Sequence, residues 1–212
     1  MERREKVFKI TCPKCGHNFE KTLPTAIFPL GEDKEKIIKG DFATITCPAC
    51  ENDFILNYRF AYTDEVNLFM VVNDPAFVDR KSILAFSTGL GLIGASRKDE
   101  LIKHTLRLTY DYKALREKIA ILEMGLDDKV IELMKYFLVN SEDFAYKPEQ
   151  IKDFIFTEDK EFYLETVLNV GLKLEFSDIL YDTIVNNYGD LIKKDMNLLV
   201  DRAWAENFLK AE

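Results

Sequence analysis

Apolar and polar residues alternate over short stretches in the first third of the chain, whereas helical spacing prevails in the last hundred residues. Alternation marks strands, because successive side chains point to opposite faces; a helix instead buries residues three and four apart. On that basis Val7–Thr11 and Asn18–Leu23 read as strands, as do Ala43–Thr46 and Phe54–Tyr62. Asn67–Val72 is rich in β-formers and follows the turn Thr63-Asp64-Glu65, which predicts a hairpin. Between the two strand pairs, Glu32–Lys39 reads as a short charged helix stopped by Gly40.

Residues 75–110 carry a weaker pattern. Ile83–Phe86 reads as a strand, and Leu106-Arg107-Leu108-Thr109 alternates like one. Beyond them the spacing becomes helical. Tyr112, Leu115, Ile119 and Leu122 share a face up to Gly125. Asp127 is placed to cap a second helix, with Leu126 and Ile131 as a hydrophobic staple and Val130, Met134, Phe137 and Leu138 as its apolar face. A β-meander follows: Ile151–Phe156 and Glu161–Leu168 flank the turn Thr157-Glu158-Asp159-Lys160, and Leu172, Leu174 and Phe176 alternate with polar residues. Ser177 caps a helix to about Asn187. Gly189 is expected to separate it from a last amphipathic helix that turns Ile192, Met196, Leu199, Ala203 and Trp204 inward.

This pattern predicts an α+β fold in two parts. Residues 1–80 form a β module with an insertion, 81–110 connect, and 111–212 form an α+β domain with a small antiparallel sheet and about four helices. With 212 residues and 47% hydrophobic composition, a sizeable core is available. No stretch reaches the ~18 apolar residues that a membrane span needs, and the charged start Met1–Lys6 is unlike a secretory signal. A cytoplasmic location is expected, where closely spaced cysteines read as metal ligands or redox groups rather than disulfides.

Net charge narrows the partners. The chain carries −8, and neither half is basic: residues 1–80 hold 11 Lys/Arg against 13 Asp/Glu, the remainder 18 against 24. Such a chain is repelled by nucleic acid and by anionic membrane.

The chemistry lies in a repeated decapeptide. Ile10-Thr11-Cys12-Pro13-Lys14-Cys15 runs on to Phe19, and Ile45-Thr46-Cys47-Pro48-Ala49-Cys50 runs on to Phe54, an offset of 35 positions. The two copies hold all four cysteines. Two cysteines separated by two residues aim both sulfurs at one ion, and two such pairs make a tetrahedral set, so Cys12, Cys15, Cys47 and Cys50 are the expected metal ligands. Proline stiffens each turn. Gly16 follows the first pair and tolerates a left-handed backbone; Glu51 stands at the matching position of the second, which makes that turn less regular. Lys9, Lys14 and Lys21 lie near the first pair and offset its charge. Four thiolates favour zinc in a closed structural site. Iron is the alternative, because the gap between the pairs and the nearby Phe19, Phe54 and Tyr58 resemble a rubredoxin-like electron-transfer site. A dithiol redox role ranks last, since the pairs lack a βαβ setting.

C-P-x-C-G-H-x-F, the insertion Glu35-Lys36-Ile37-Ile38-Lys39-Gly40 and the return Thr46-Cys47-Pro48-x-Cys50 resemble the CpXC-domain proteins. Leu115-Arg116-Glu117-Lys118-Ile119 and Gly125-Leu126-Asp127-Asp128-Lys129-Val130-Ile131-Glu132 are similar to a downstream part of the same proteins, so the resemblance spans about 8–138. It implies a metal-binding module and no particular reaction.

The remaining signals have plainer readings. Gly89-x-Gly91-x-x-Gly94 matches a dinucleotide fingerprint in letters only. Its continuation, Ala95-Ser96-Arg97-Lys98-Asp99-Glu100, is polar, so a loop or bulged hairpin is expected. His17 reads as a surface turn residue, and His104 lies in a polar run. Asp127-Asp128 reads as a helix start, the aromatic set Phe154, Phe156, Phe162, Tyr163 and Phe176 as core, and Trp204 with Phe208 as packing against the protein's own interior. With two histidines and every cysteine in the metal set, nucleophilic catalysis finds no support. The expected function is a non-catalytic, zinc-stabilised binding or regulatory module acting on protein partners. The alternatives are a nucleic-acid-binding zinc ribbon, using Arg3, Arg4, Lys6, Lys9, Lys14 and Lys21, and iron electron transfer.

Overall fold

The computed structural model describes residues 4–30, 32–96 and 104–211; Arg3 and residues 97–103 lie outside them. The chain divides into two compact units, Met1–Arg116 and Glu117–Glu212, and is mixed α+β throughout.

The first unit begins with the hairpin of β1 (Glu5–Thr11) and β2 (Asn18–Pro24), paired from Glu5↔Pro24 to Thr11↔Asn18. A two-residue strand, β3 (Ala26–Ile27), leads to helix α1 (Glu32–Lys39). Gly40, at φ +82°, ends that helix. A second hairpin joins β4 (Thr44–Thr46) to β5 (Asp53–Ile55). Then come β6 (Phe60–Asp64), β7 (Phe69–Asn73), a single 3₁₀ turn at Pro75–Val78, helix α2 (Arg80–Ser96) and β8 (Thr105–Thr109). A four-stranded sheet runs β3-β6-β7-β8, with β6 and β7 antiparallel and the outer pairs parallel.

Two expectations for this unit need correction. Phe54–Tyr62 is not one strand but the end of β5 and the start of β6. The chain breaks between them because Asn57 turns to other partners: its amide donates to Tyr110 O at 2.7 Å and accepts from the amide of buried Asn73 at 2.9 Å. Asn73 also donates to Tyr58 O, and Thr109 donates to Asn73, so one polar group ties the break to β7 and β8. The second correction concerns Ile83–Phe86 and Gly89–Gly94, which lie in helix α2 rather than in a strand and a loop. The Asp79 carboxylate accepts from Ser82 N–H at its start. Ser87 and Thr88 donate their hydroxyls to Ile83 O and Leu84 O, so both are satisfied within the helix. Residues 81–110, expected to connect, therefore contribute α2 and a strand of the sheet.

The second unit contains the rest of α3 (Tyr112–Glu123), α4 (Asp128–Val139), α5 (Asp178–Lys194) and α6 (Arg202–Lys210), four helices as expected. Its sheet is the expected meander of β9 (Ile151–Phe156), β10 (Glu161–Thr166) and β11 (Gly171–Glu175). Phe156, Phe162, Trp204 and Val130 belong to one core, with Phe154, Phe176 and Phe208 packed on it. Gly189 does not divide α5. A helix tolerates one glycine at a cost of about 1 kcal/mol, and this one ends only at Asp195. In the linker that follows, Met196 is 86% exposed; Ala203 also faces solvent rather than the core.

Five buried charged side chains form one array in this unit. Lys118 pairs with Asp128 and with Glu132, both at 3.2 Å; Lys135 pairs with Glu132 at 3.0 Å and with Glu117. Glu117 also accepts from Phe156 N–H at 2.6 Å, which joins α3, α4 and β9. Burial pushes the Glu117 carboxyl up despite Lys135. Burial opposes the charge of Glu132 as well, but Lys135 and Lys118 outweigh it and hold that carboxyl below its ordinary range. Charges are buried at large cost unless paired in this way.

Candidate metal centre

Each cysteine pair sits at the tip of a hairpin, and the two tips are built alike. In the first, Gly16 N–H donates to Cys12 O at 3.0 Å and Cys12 N–H to His17 O at 2.9 Å. In the second, Glu51 N–H donates to Cys47 O at 3.0 Å and Cys47 N–H to Asn52 O at 3.0 Å. The side chains follow the same offset. Thr11 Oγ1 donates to Asn18 Oδ1, and Thr46 Oγ1 to Asp53 Oδ1, both at 2.7 Å. Ile10 and Ile45, two residues before the first cysteine of each pair, are both buried and anchor the strands. The decapeptide repeat is thus a repeat of structure. The left-handed position is Gly16 in one turn (φ +73°) and Glu51 in the other (φ +53°), so the second turn keeps its shape at the expense of backbone strain.

The two tips bring the four sulfurs together. Cys12 Sγ lies 3.7 Å from Cys50 Sγ, and Cys15 Sγ lies 3.7 Å from Cys47 Sγ. All four lie within 4.8 Å of one another. A metal about 2.3 Å from four sulfurs at the corners of a tetrahedron needs sulfur–sulfur edges of about 3.8 Å. Disulfides are much shorter, at about 2.05 Å, and all four cysteines are free. The residues fit a tetrahedral metal ion: the four cysteines are positioned to bind one.

The thiols of the cluster perturb one another. The backbone N–H of Cys15 draws the Cys12 thiol down to about 6. The Asn52 N–H favours the Cys50 thiolate too, but the neighbouring thiols and burial outweigh it and push Cys50 up to about 12. Four thiolates this close need a cation between them; a bound metal supplies that charge and is bound by the deprotonated sulfurs.

The other candidates stand apart from the cluster or have structural partners. His17 is exposed and stacks on Phe19, 6.2 Å between ring centroids. Phe19 and Phe54 are half-buried beside the turns. Asp127 caps α4 as expected, accepting from Lys129 N–H at 2.9 Å. Asp128 instead turns inward to Lys118. Its place in the buried ion array escaped sequence reasoning, which read both aspartates as a helix start. No local signal marked the array: by helical spacing Asp128, Glu132 and Lys135 fall away from the apolar face Val130, Met134, Phe137 and Leu138, and Glu117 lies opposite Tyr112, Leu115, Ile119 and Leu122. Phe156 and Phe162 are core residues, as expected. Trp204 is buried and donates its Nε1–H to Asp195 at 2.9 Å. Among the described residues, no helix is long and apolar enough to cross a membrane.

Comparison with curated proteins and with solved structures gives no match. A family model described as CpXC protein matches residues 10–135, a span that takes in both cysteine turns, α3 and most of α4. Since that match covers more than half of the chain, the protein belongs to the CpXC family.

Proposed function

We propose that Cys12, Cys15, Cys47 and Cys50 hold one Zn²⁺ in a closed structural site, and that the chain is a non-catalytic binding or regulatory module acting through protein partners in the cytoplasm. The observation that carries the metal reading is the pair of 3.7 Å sulfur contacts across two matching turns. With four thiolates as ligands, the ion has no open position for a substrate, so its role is to fix the two hairpins. Function then belongs to the surfaces those hairpins hold. This reading places the partner's contact at the cysteine hairpins, where Val7 on β1 and Ile55 on β5 are exposed apolar residues.

Elemental analysis of protein purified without added metal tests the first part. One zinc per chain supports it, iron favours electron transfer, and a metal-free chain with free thiols refutes both. Comparative capture with wild type and a Val7→Lys/Ile55→Lys double variant tests the second. The reading requires a protein that binds wild type and is lost with the variant. Retention of a nucleic acid in place of a protein, weakened by salt, would replace it.

A further inference from the structure

The four sulfurs are not equivalent. Cys12 and Cys47, the first of each pair, are buried; Cys15 is exposed and Cys50 half-exposed. The accessible sulfur of each turn faces the buried sulfur of the other turn: Cys15 meets Cys47 and Cys50 meets Cys12, each at 3.7 Å. A disulfide needs that gap to close by about 1.7 Å, a movement that side-chain rotation and a small shift of either hairpin tip supply. Each turn therefore offers one thiolate that solvent reaches and, across the centre, one that is poised to resolve it.

We propose that the centre is also a site of oxidative modification by peroxides, in which oxidation joins the two turns through Cys15–Cys47 and Cys12–Cys50 disulfides and releases the metal. The Cys15 thiolate attacks one oxygen of hydrogen peroxide; the O–O bond breaks, leaving Cys15 as a sulfenic acid and hydroxide, which becomes water. The Cys47 sulfur then attacks the Cys15 sulfur. The S–O bond breaks, the S–S bond forms, and a second water leaves. Two electrons from the two sulfurs reduce one peroxide, and Cys50 with Cys12 repeats the step with a second peroxide. The metal stays divalent and departs because a disulfide sulfur is a poor ligand. The outcome differs from a thioredoxin-like dithiol, where the bridge would close within one C-P-x-C turn. It also differs from chelation: oxidation removes the metal but leaves the two hairpins covalently joined, so the module keeps its pairing.

The metal release rests on the zinc reading; the sulfur pairing does not. The test treats the full chain with hydrogen peroxide, follows freed zinc with a chromogenic chelator, and maps disulfides after trypsin digestion. Lys14 lies between Cys12 and Cys15, while Cys47 and Cys50 share one peptide between Lys39 and Arg59, so the pairings give different products. The expected result is that both N-terminal peptides become linked to the Cys47/Cys50 peptide, with fragmentation assigning Cys15 to Cys47 and Cys12 to Cys50. Bridges within the turns, the crossed pairs Cys12–Cys47 and Cys15–Cys50, or sulfinic acids without bridges would overturn it. A chain that proves metal-free before oxidation refutes the zinc reading, and the map still decides this one.

Discussion

Glu51 holds a backbone conformation that its matching residue, Gly16, adopts without cost. A side chain in the left-handed region costs about 1–2 kcal/mol, part of which glycine gives back as extra freedom in the unfolded chain. Glu51→Gly should therefore stabilise the metal-loaded protein by about 0.5–1 kcal/mol, read as a higher denaturation midpoint, whereas Gly16→Ala should lower it. Asp195 makes a prediction of another kind. Burial opposes its charge, but hydrogen bonds from Lys129, Asn197 and Trp204 outweigh that and hold its carboxyl below the ordinary value. A depressed carboxyl contributes stability that is fully present above its unfolded pKa, about 3.9, and is lost as pH falls through the folded one. Asp195→Asn should lower stability at neutral pH and shrink the loss on acidification below about pH 4. An unchanged acid slope would show that the carboxylate is not held in this way.

At the scale of elements, the second unit depends on how α3 and α4 share buried charge. Glu132 serves both Lys118 and Lys135, and all three are almost inaccessible. Removing Glu132 takes one of two carboxylate partners from each buried lysine, leaving Lys118 with Asp128 and Lys135 with Glu117; breaking buried ion pairs typically costs about 3–5 kcal/mol. Glu132→Leu should destabilise by that much in urea unfolding. Asp190→Asn, which removes an exposed partner of Lys193, should change stability by less than about 0.5 kcal/mol. Equal effects would contradict the burial of the array. The helix cap was legible from Asp127 and the staple beside it, because capping is local chemistry. Helix α2 was not, because Gly89, Gly91 and Gly94 read as a loop, while the bonds that satisfy Ser87 and Thr88 form only once the helix exists. The ion array escaped for a related reason: charged residues are ordinarily exposed, and only the packing of α3 on α4 shows that these are not.

At the scale of the molecule, the two units differ in what organises them. Both bury apolar side chains, Phe60, Tyr62, Phe69 and Leu108 among them in the first and Phe156, Phe162 and Trp204 in the second, but only in the first do two hairpins meet at a sulfur cluster. Structural zinc sites supply roughly 10–16 kcal/mol of apparent binding free energy, so complete chelation should unfold residues 7–74. Limited proteolysis should then place new cuts in that stretch and spare the meander; an unchanged pattern and unchanged circular dichroism after full metal removal would refute it. The clustering of the four cysteines was legible, because C-P-x-C spacing constrains two sulfurs locally and a repeat of that motif signals a shared partner. The partition of the chain was less so, since β8 joins the sheet of the first unit through pairing with β7, a contact no local pattern encodes. The most direct test of the central claim is X-ray absorption at the zinc edge of protein purified without added metal. Four sulfur neighbours at about 2.3 Å, with one zinc per chain, are expected. Oxygen or nitrogen neighbours in the first shell, or no zinc at all, would contradict it.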